Sequence, residues 1–170
     1  MRHRYALCVD PLFELALLIK AGQRELERRT NEVMQPLGLT GAQADAVTVL
    51  GQAGPLSLKE LGELLIAEAG HPSRLVDRLV AAGLVDRRAA EKDRRRIELS
   101  LTPTGRGLEK QIQNARAELF TLARSLIGDR DIQPALEFLR DLTQYSSFRE
   151  LVDRRRSLDE RARAAGRLAD

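Results

Sequence analysis

The spacing of apolar residues changes twice along this 170-residue chain, and this change is the strongest constraint on its fold. Up to Ala82, apolar residues recur every three or four positions, which is typical of one buried helix face. Ile97, Leu99 and Leu101 then alternate with polar residues, which predicts a half-buried strand. Helical spacing returns after Thr102. The sequence therefore predicts a mainly α-helical fold with one small β-hairpin.

Helix-start signals predict the boundaries of the first two helices. Asp10-Pro11 combines an N-cap with a first-turn proline, so we expect a helix from about residue 11 to residue 34. Thr40 begins a capping box, with glutamine three residues later. The second helix is expected to run from there to about Leu50. A turn is expected over residues 51–55, because glycine and proline cluster there.

Similar signals predict the next two helices and the hairpin. Ser57 begins a second capping box ahead of a leucine-rich segment. Pro72 fits only in the first turn of a fourth helix, because a proline further inside would remove a hydrogen bond and clash. Gly83 is suited to ending that helix. A short extended segment over residues 84–88 is expected to pair with the alternating strand, and residues 89–95 are expected to form the hairpin tip.

Beyond the hairpin, a long helix carries a strict heptad. Its apolar residues recur at intervals of 4, 3, 4, 3 and 4 until Gly128. This pattern favours packing against a helix of a partner chain over packing within the same chain. The members of the heptad are Leu108, Ile112, Ala115, Leu119, Leu122 and Leu126.

The C-terminal part of the chain is also expected to be helical. A shorter helix with Pro134 in its first turn follows the heptad helix. After Ser147 we expect a helical arm that frays after about Leu158. The arginine cluster of residues 154–156 is expected to lie on a solvated face, because acidic residues surround it.

Composition excludes several classes of protein. No apolar run approaches the roughly 20 residues of a membrane span, and no signal-peptide pattern is present, so we expect a cytoplasmic protein without a membrane partner. Cys8 is the only cysteine, which excludes an internal disulfide. With two histidines it leaves little for a zinc site. We expect no metal and no other cofactor. The sequence also has no carboxylate pair, nucleophile elbow or phosphate loop, so we expect no enzymatic activity.

Basic residues are concentrated at the predicted hairpin. Between Asp86 and Arg96, six basic residues stand against three acidic ones, and this excess of three equals the net charge of the chain, +3. A helix-turn-helix followed by a basic hairpin is the order of a winged helix-turn-helix, whose second helix enters the major groove of DNA. Arginine suits this role because it matches two acceptors of guanine. The recognition-helix candidates are His71, Ser73, Arg74 and Arg78. The phosphate-binding candidates are Ser57, Lys59 and Arg88, and the hairpin tip offers Lys92 and Arg94.

These residues lie in segments that resemble the MarR (multiple-antibiotic-resistance regulator) family of bacterial transcription factors. The string Asp93-x-Arg95 is followed, after five residues, by Leu101-Thr102-x-x-Gly105. Upstream, LKELGELL and SRLVDRLVAAGLVDRR resemble the third helix, recognition helix and first wing strand of that family. The resemblance covers residue 11 to about residue 145. The turn at residues 68–72 departs from the Ser/Thr-rich stretch of relatives, and the tail after residue 147 is longer than the family core requires.

The resemblance implies an obligate homodimer that binds a pseudo-palindromic operator in double-stranded DNA and represses until an unknown small-molecule effector binds. It implies that Asp93 and Arg95 brace the wing and that Arg94 enters the minor groove. It divides a single domain, residues 1–170, into three parts. These are a winged helix-turn-helix lobe (38–101), a helical dimerisation region from both chain ends (11–37 and 102–146) and a helical C-terminal arm (147–170). The expected dimerisation residues are Leu12, Leu15, Ile19, Leu119, Leu122, Leu126, Leu136 and Leu139.

Two other functions compete with this hypothesis. The chain could be a winged helix that binds protein and no longer reads DNA, although the basic wing argues against it. It could also be a thiol-based redox sensor through Cys8, although that residue precedes the first predicted helix. For single residues, Arg74 could instead pair with Asp77 on a solvated helix surface, and His71 could be a solvated helix-start residue.

Overall fold

The computed structural model describes residues 10–66, 72–90 and 96–166. It contains seven α-helices, a short 3-10 helix (Gln35–Leu37) and one two-stranded antiparallel sheet in these ranges. In chain order the elements are α1 (Pro11–Met34), α2 (Gly41–Ala53), α3 (Leu58–Gly62), α4 (Pro72–Ala81), β1 (Val85–Ala89), β2 (Ile97–Leu101), α5 (Pro103–Ile127), α6 (Gln133–Thr143) and α7 (Phe148–Ala164). In the described ranges, no helix combines the length and apolar composition needed to cross a membrane. The predictions for Cys8, His71, Lys92, Asp93, Arg94 and Arg95 fall on residues outside the described ranges.

The capping signals explain where the first helices begin. The backbone N–H of Leu12 donates to the Asp10 carboxylate at 2.9 Å, and α1 has the predicted bounds. At Thr40 and Ser57 both halves of the predicted capping boxes are present. These side chains satisfy backbone N–H groups that the first turn of a helix leaves without partners.

Helix α2 continues past its predicted end. It runs to Ala53 rather than to about Leu50, so Gly51 lies inside the helix and not in a turn. A Cβ at Gly51 would overlap with the carboxylate of Glu109 on α5, so the glycine permits close approach of two helices. Helix α2 ends at Gly54, whose φ of +79° is costly for other residues. The prediction of a turn over residues 51–55 was wrong for residues 51–53.

The hairpin follows α4 with the predicted alternation, except at its outer end. The register runs from Val85 opposite Leu101 to Ala89 opposite Ile97. Leu99 and Leu101 are buried, but the Ile97 side chain is 51% exposed, so its predicted burial was wrong. Ile97 pairs with Ala89 at the outer end of the sheet.

The core surrounds α2. Its largest fully buried side chains are Met34, Leu61, Leu79, Leu99, Ile112, Val47, Val49, Val76 and Val85. They come from α1 through α5 and both strands, which places the helix-turn-helix and the hairpin on one common core. Burial of this apolar surface is the main source of stability.

The heptad of α5 divides into two parts. Ile112 is fully buried, and Leu108 and Ala115 pack against the core of the same chain. Leu122 and Leu126 are exposed. Only the C-terminal part of the heptad is therefore available to a partner helix, because the N-terminal part is used within the chain.

The C-terminal arm forms helix α7 and folds back onto the core. The prediction that it frays after about Leu158 was wrong, because α7 continues to Ala164. Leu158 and Ala162 are buried, and together with Gln52 and Ala53 of α2 they line a cavity of about 270 Å³. Apolar contact with α2 thus holds a segment that the sequence alone predicted to fray.

A pair of glycines in α5 tests how closely this helix packs on the hairpin. A Cβ at Gly105 would overlap with the carbonyl oxygen of Leu84, whereas a Cβ at Gly107 would meet nothing. Gly105→Ala is expected to lower the free energy of unfolding by about 2 kcal/mol, because backbone must shift. Gly107→Ala is expected to raise it by up to about 1 kcal/mol through helix propensity. Urea unfolding followed by circular dichroism measures both, and equal effects would contradict the packing described.

Candidate nucleic-acid interface

The outer face of α4 is polar and exposed. Leu75, Val76 and Leu79 turn inward, which leaves Ser73, Arg74 and Arg78 on the exposed face. Neither arginine side chain forms a hydrogen bond or ion pair with another residue of the described ranges. Two positive charges on one helix face are therefore available to an external partner. Their spacing of four residues puts them one turn apart.

The structure rejects the alternative pairing of Arg74. Asp77 pairs with Arg87 of β1, whose guanidinium lies 2.5 Å from the carboxylate. This contact ties the exposed face of α4 to the first strand of the hairpin. It also removes the neighbouring carboxylate that could have neutralised Arg74.

Helix α3 lies beside α4 and presents a third basic residue. The Lys59 side chain is 87% exposed, and its ammonium is 3.9 Å from the Glu63 carboxylate. Ser57 serves the cap instead: its hydroxyl accepts from the Glu60 N–H at 3.3 Å and donates to the Glu60 carboxylate at 2.7 Å. Of these two phosphate-binding candidates, Lys59 is the more accessible.

Strand β2 and the residue before it are joined to α3 and to the segment that precedes α3 by backbone and side-chain contacts. Leu56 exchanges two backbone hydrogen bonds with Leu99 of β2, at 3.1 and 2.7 Å. The Arg96 guanidinium donates to the Glu60 carboxylate at 2.6 Å. Arg88, on the outer side of β1, pairs with Asp86 at 2.7 Å and remains exposed. These contacts join the hairpin to α3 and leave Arg88 on the surface.

Glu60 is a residue whose full role the sequence did not reveal. It was recognised only as part of a capping box, yet it also receives the Arg96 guanidinium. The hydrogen bond from Arg96, followed by those from the Ser57 side chain and backbone, lowers the pKa of Glu60 to about 2. The capping box predicted one partner, but no local signal could predict Arg96, which is 36 residues away.

The two residues that were predicted to brace the wing are not among those that the structure describes. Asp93 and Arg95, the predicted bracing pair, lie outside the described residues, as do His71, Lys92 and Arg94. Within the described ranges, Arg96 and Arg87 make the contacts that link the hairpin to α3 and α4. The sequence analysis assigned neither of them a role. The roles of the five residues outside these ranges stay predictions.

A second exposed surface is apolar and comes from both chain ends. Leu12 of α1 is 73% exposed and Leu126 of α5 is 71% exposed. Ile19, Leu122 and Leu139 are also exposed, while Leu15, Leu119 and Leu136 are half-buried. Further large apolar side chains are exposed but were not among the expected dimerisation residues. These are Phe13, Leu17, Leu18, Phe120, Phe138, Leu142 and Tyr145.

Metal-ligating side chains do not converge in the part of the chain that the structure describes. No group of three or more His, Cys, Asp or Glu residues in those ranges is arranged to hold a metal ion.

Comparison with known proteins identifies the family. A sequence profile described as the MarR family matches residues 37–96, which include α2, α3, α4 and β1 and end just before β2. The multiple antibiotic resistance protein MarR of Escherichia coli (strain K12) is 30% identical over 102 residues, which are 60% of this chain and 71% of that protein. This chain belongs to the MarR family.

Further MarR-family relatives agree with this assignment. The organic hydroperoxide resistance transcriptional regulator of Bacillus subtilis (strain 168) is 26% identical over 111 residues, 65% of this chain and 76% of that protein. The structure of a mutant MarR from E. coli complexed with operator DNA is also similar, with a TM-score of 0.64 and 27% identity. The matched region covers 75% of this chain and 91% of the MarR chain in that structure. As a member of the MarR family, this chain is a winged helix-turn-helix transcriptional regulator.

The pairing of Glu60 makes stability of this MarR-family protein depend on pH. Glu60→Gln keeps a capping side chain but removes the charge that Arg96 binds. Because the pKa of Glu60 is lowered from 4.5 to about 2, the wild-type advantage is present above pH 4.5 and disappears as the pH falls towards 2. Urea unfolding of both proteins across this range measures the difference. The exposed α6 residue Glu137, changed to Gln, is the control, and a pH-independent difference for Glu60→Gln would contradict the assignment.

Proposed function

We propose that this chain represses transcription as a homodimer that binds a pseudo-palindromic operator in double-stranded DNA. The observation that carries the proposal is the exposed cationic surface of Lys59, Arg74, Arg78 and Arg88. Within it, Arg74 and Arg78 of α4 have no side-chain partner among the described residues. An arginine pair on the second helix of a helix-turn-helix suits base edges in the major groove.

The proposed division of the chain follows its two exposed surfaces. Residues 38–101 form the DNA-binding lobe, and residues 11–37 and 102–146 form the dimerisation region. A two-fold dimer presents two α4 helices to two half-sites, which are spaced by about one helical turn of roughly 10 base pairs. Ser73 and Arg78 are proposed to lie at the groove, and Lys59 and Arg88 at phosphates.

We also propose that a small-molecule effector releases the protein from DNA. The effector needs only to bind more tightly to a dimer whose two lobes are spaced wrongly for the two half-sites than to the dimer that fits the operator. The region where α1, α2 and the start of α5 meet is the proposed location of its pocket, because a ligand there contacts both the lobe and the dimerisation region.

DNA binding tests the proposal most directly. The protein is titrated with DNA from upstream of its own gene and with random DNA over a series of salt concentrations. We expect a preference for the upstream DNA and a steep loss of affinity with salt, because phosphate contacts release counterions. If the protein is a folded dimer but binds neither DNA, the result would favour the protein-binding alternative. Equal affinity for the upstream and the random DNA would contradict specific recognition.

Alanine variants separate the two kinds of contact. Arg74→Ala and Arg78→Ala are each expected to cost roughly 1–3 kcal/mol on the preferred DNA and much less on random DNA. Lys59→Ala should weaken both complexes equally and reduce the salt slope by about 1. Arg163→Ala removes the same charge from α7 and serves as control. If all four variants lost equal affinity on both DNAs, net charge rather than these positions would determine binding.

A dimer is supported by the large apolar side chains that α1, α5 and α6 leave exposed in one chain. Leu126→Glu is expected to weaken dimerisation strongly, because it places a charge among these residues. Ala117→Glu, on the opposite face of α5, is the matched control and should leave the dimer intact. Analytical ultracentrifugation over a concentration series measures the effect. A monomeric wild type, or equal weakening by both variants, would contradict the proposed interface.

A further inference from the structure

Helix α7 is anchored to the DNA-binding lobe by a shared carboxylate. The Arg155 guanidinium on α7 lies 2.6 Å from the Asp45 carboxylate on α2 and donates to the Leu64 carbonyl oxygen at 3.4 Å. Arg116 of α5 binds the same Asp45 carboxylate at 3.3 Å. The Arg155 side chain is only 22% exposed, so water screens these contacts less than it screens surface ion pairs. Asp45 thus joins three helices: α2, α5 and α7.

A second contact from α7 reaches the turn that follows α3. The Arg154 guanidinium lies 3.1 Å from one Glu63 carboxylate oxygen, and the other oxygen is 3.9 Å from the Lys59 ammonium. Arg154 and Arg155 therefore contact adjacent residues, Glu63 and Leu64, in the segment between α3 and the recognition helix α4. The prediction that the arginine cluster lies on a solvated face was wrong for Arg155. For Arg154 it did not include the ion pair with Glu63.

The third cluster arginine has a different partner. Arg156 pairs with Glu160 of its own helix at 3.2 Å. It carries the same charge at the next position in the chain, but its ion pair does not reach the lobe. Arg156 is therefore a matched control for its two neighbours.

From these contacts we propose that Arg155 and Arg154 are positioning residues for DNA binding. They hold α7 against Glu63 and Leu64, in the segment between α3 and the recognition helix α4. The inference rests on the proposed function, because it concerns the affinity of the same surface for DNA. Arg155 anchors α7 through Asp45 and Leu64. Arg154 neutralises Glu63, the carboxylate beside Lys59.

Two physical effects give the direction of the change. Without Arg154, the Glu63 carboxylate loses its nearer cationic partner beside a lysine that is proposed to bind phosphate, so its charge is less compensated, repels DNA and competes for Lys59. Without Arg155, the turn loses its restraint, and only a fraction of molecules holds α4 in the binding geometry. Apparent affinity falls by that fraction. Both effects predict weaker DNA binding when α7 is detached.

The experiment compares three variants of the full chain, Arg154→Ala, Arg155→Ala and Arg156→Ala, which all lose one positive charge. Affinity for the upstream DNA is measured over a salt series, and hydrogen exchange is measured at the amides of residues 63–66. Arg155→Ala leaves Asp45 paired with Arg116, so the substitution does not create an unpaired carboxylate. Arg154→Lys restores the charge and is the rescue variant.

We expect Arg154→Ala and Arg155→Ala to bind roughly three- to tenfold more weakly than Arg156→Ala, a range typical of coupled positions. Their salt slopes should equal that of Arg156→Ala, because neither residue contacts a phosphate. Arg155→Ala should also speed exchange at residues 63–66, and Arg154→Lys should bind like the wild type.

Other outcomes overturn the inference in different ways. If the wild type prefers its upstream DNA but all three variants bind alike, the positioning role is wrong while the proposed function stands. Tighter binding by Arg155→Ala would mean that α7 opposes DNA binding. A salt slope reduced by about 1 in Arg154→Ala would show a direct phosphate contact. If the wild type prefers no DNA, the proposed function fails, and the inference fails with it.

Discussion

Burial of helix α2 organises the whole molecule. The segment from Ala46 to Leu50 is buried without interruption, so this helix is covered on all its sides. Helices α1, α3, α4, α5 and α7 and strand β2 all contact it. A helix covered in this way must have partners on every face, and the partners come from both chain ends as well as from the middle. Helix α4 and the helices α1 and α5 therefore share one core around α2.

Charge has a different distribution from apolar burial. Two long-range ion pairs, Arg87 with Asp77 and Arg96 with Glu60, join the hairpin to the helix-turn-helix. The Asp45 contacts join the same lobe to α5 and α7. The two hairpin pairs are about half exposed and contribute little to stability alone, whereas the Asp45 contacts are more buried. These pairs link particular elements to one another, while burial of the apolar core is the main source of stability.

The sequence predicted local features well and distant ones poorly. The bounds of α1, both capping boxes and the first-turn proline of α4 follow from residues at most four positions apart, and all were found as predicted. The wrong predictions concern Gly51, Ile97, the end of α7 and the solvated position of Arg155. Gly51 faces the Glu109 side chain of α5, and α7 packs against α2. Such partners lie far apart in sequence, and hydrophobic spacing carries no information about which distant surface a face will meet.

The same limit applies to the candidate interface. By sequence, the arginines at positions 74, 78, 87, 96, 154 and 155 are equal members of basic segments. The structure separates them by their partners: four are bound to carboxylates, whereas Arg74 and Arg78 make no side-chain contact with the described residues. A guanidinium already bound to a carboxylate must break that pair before it can bind a phosphate or a base. The number of basic residues therefore identifies the class of partner, but the pairing of each residue identifies the surface that meets it.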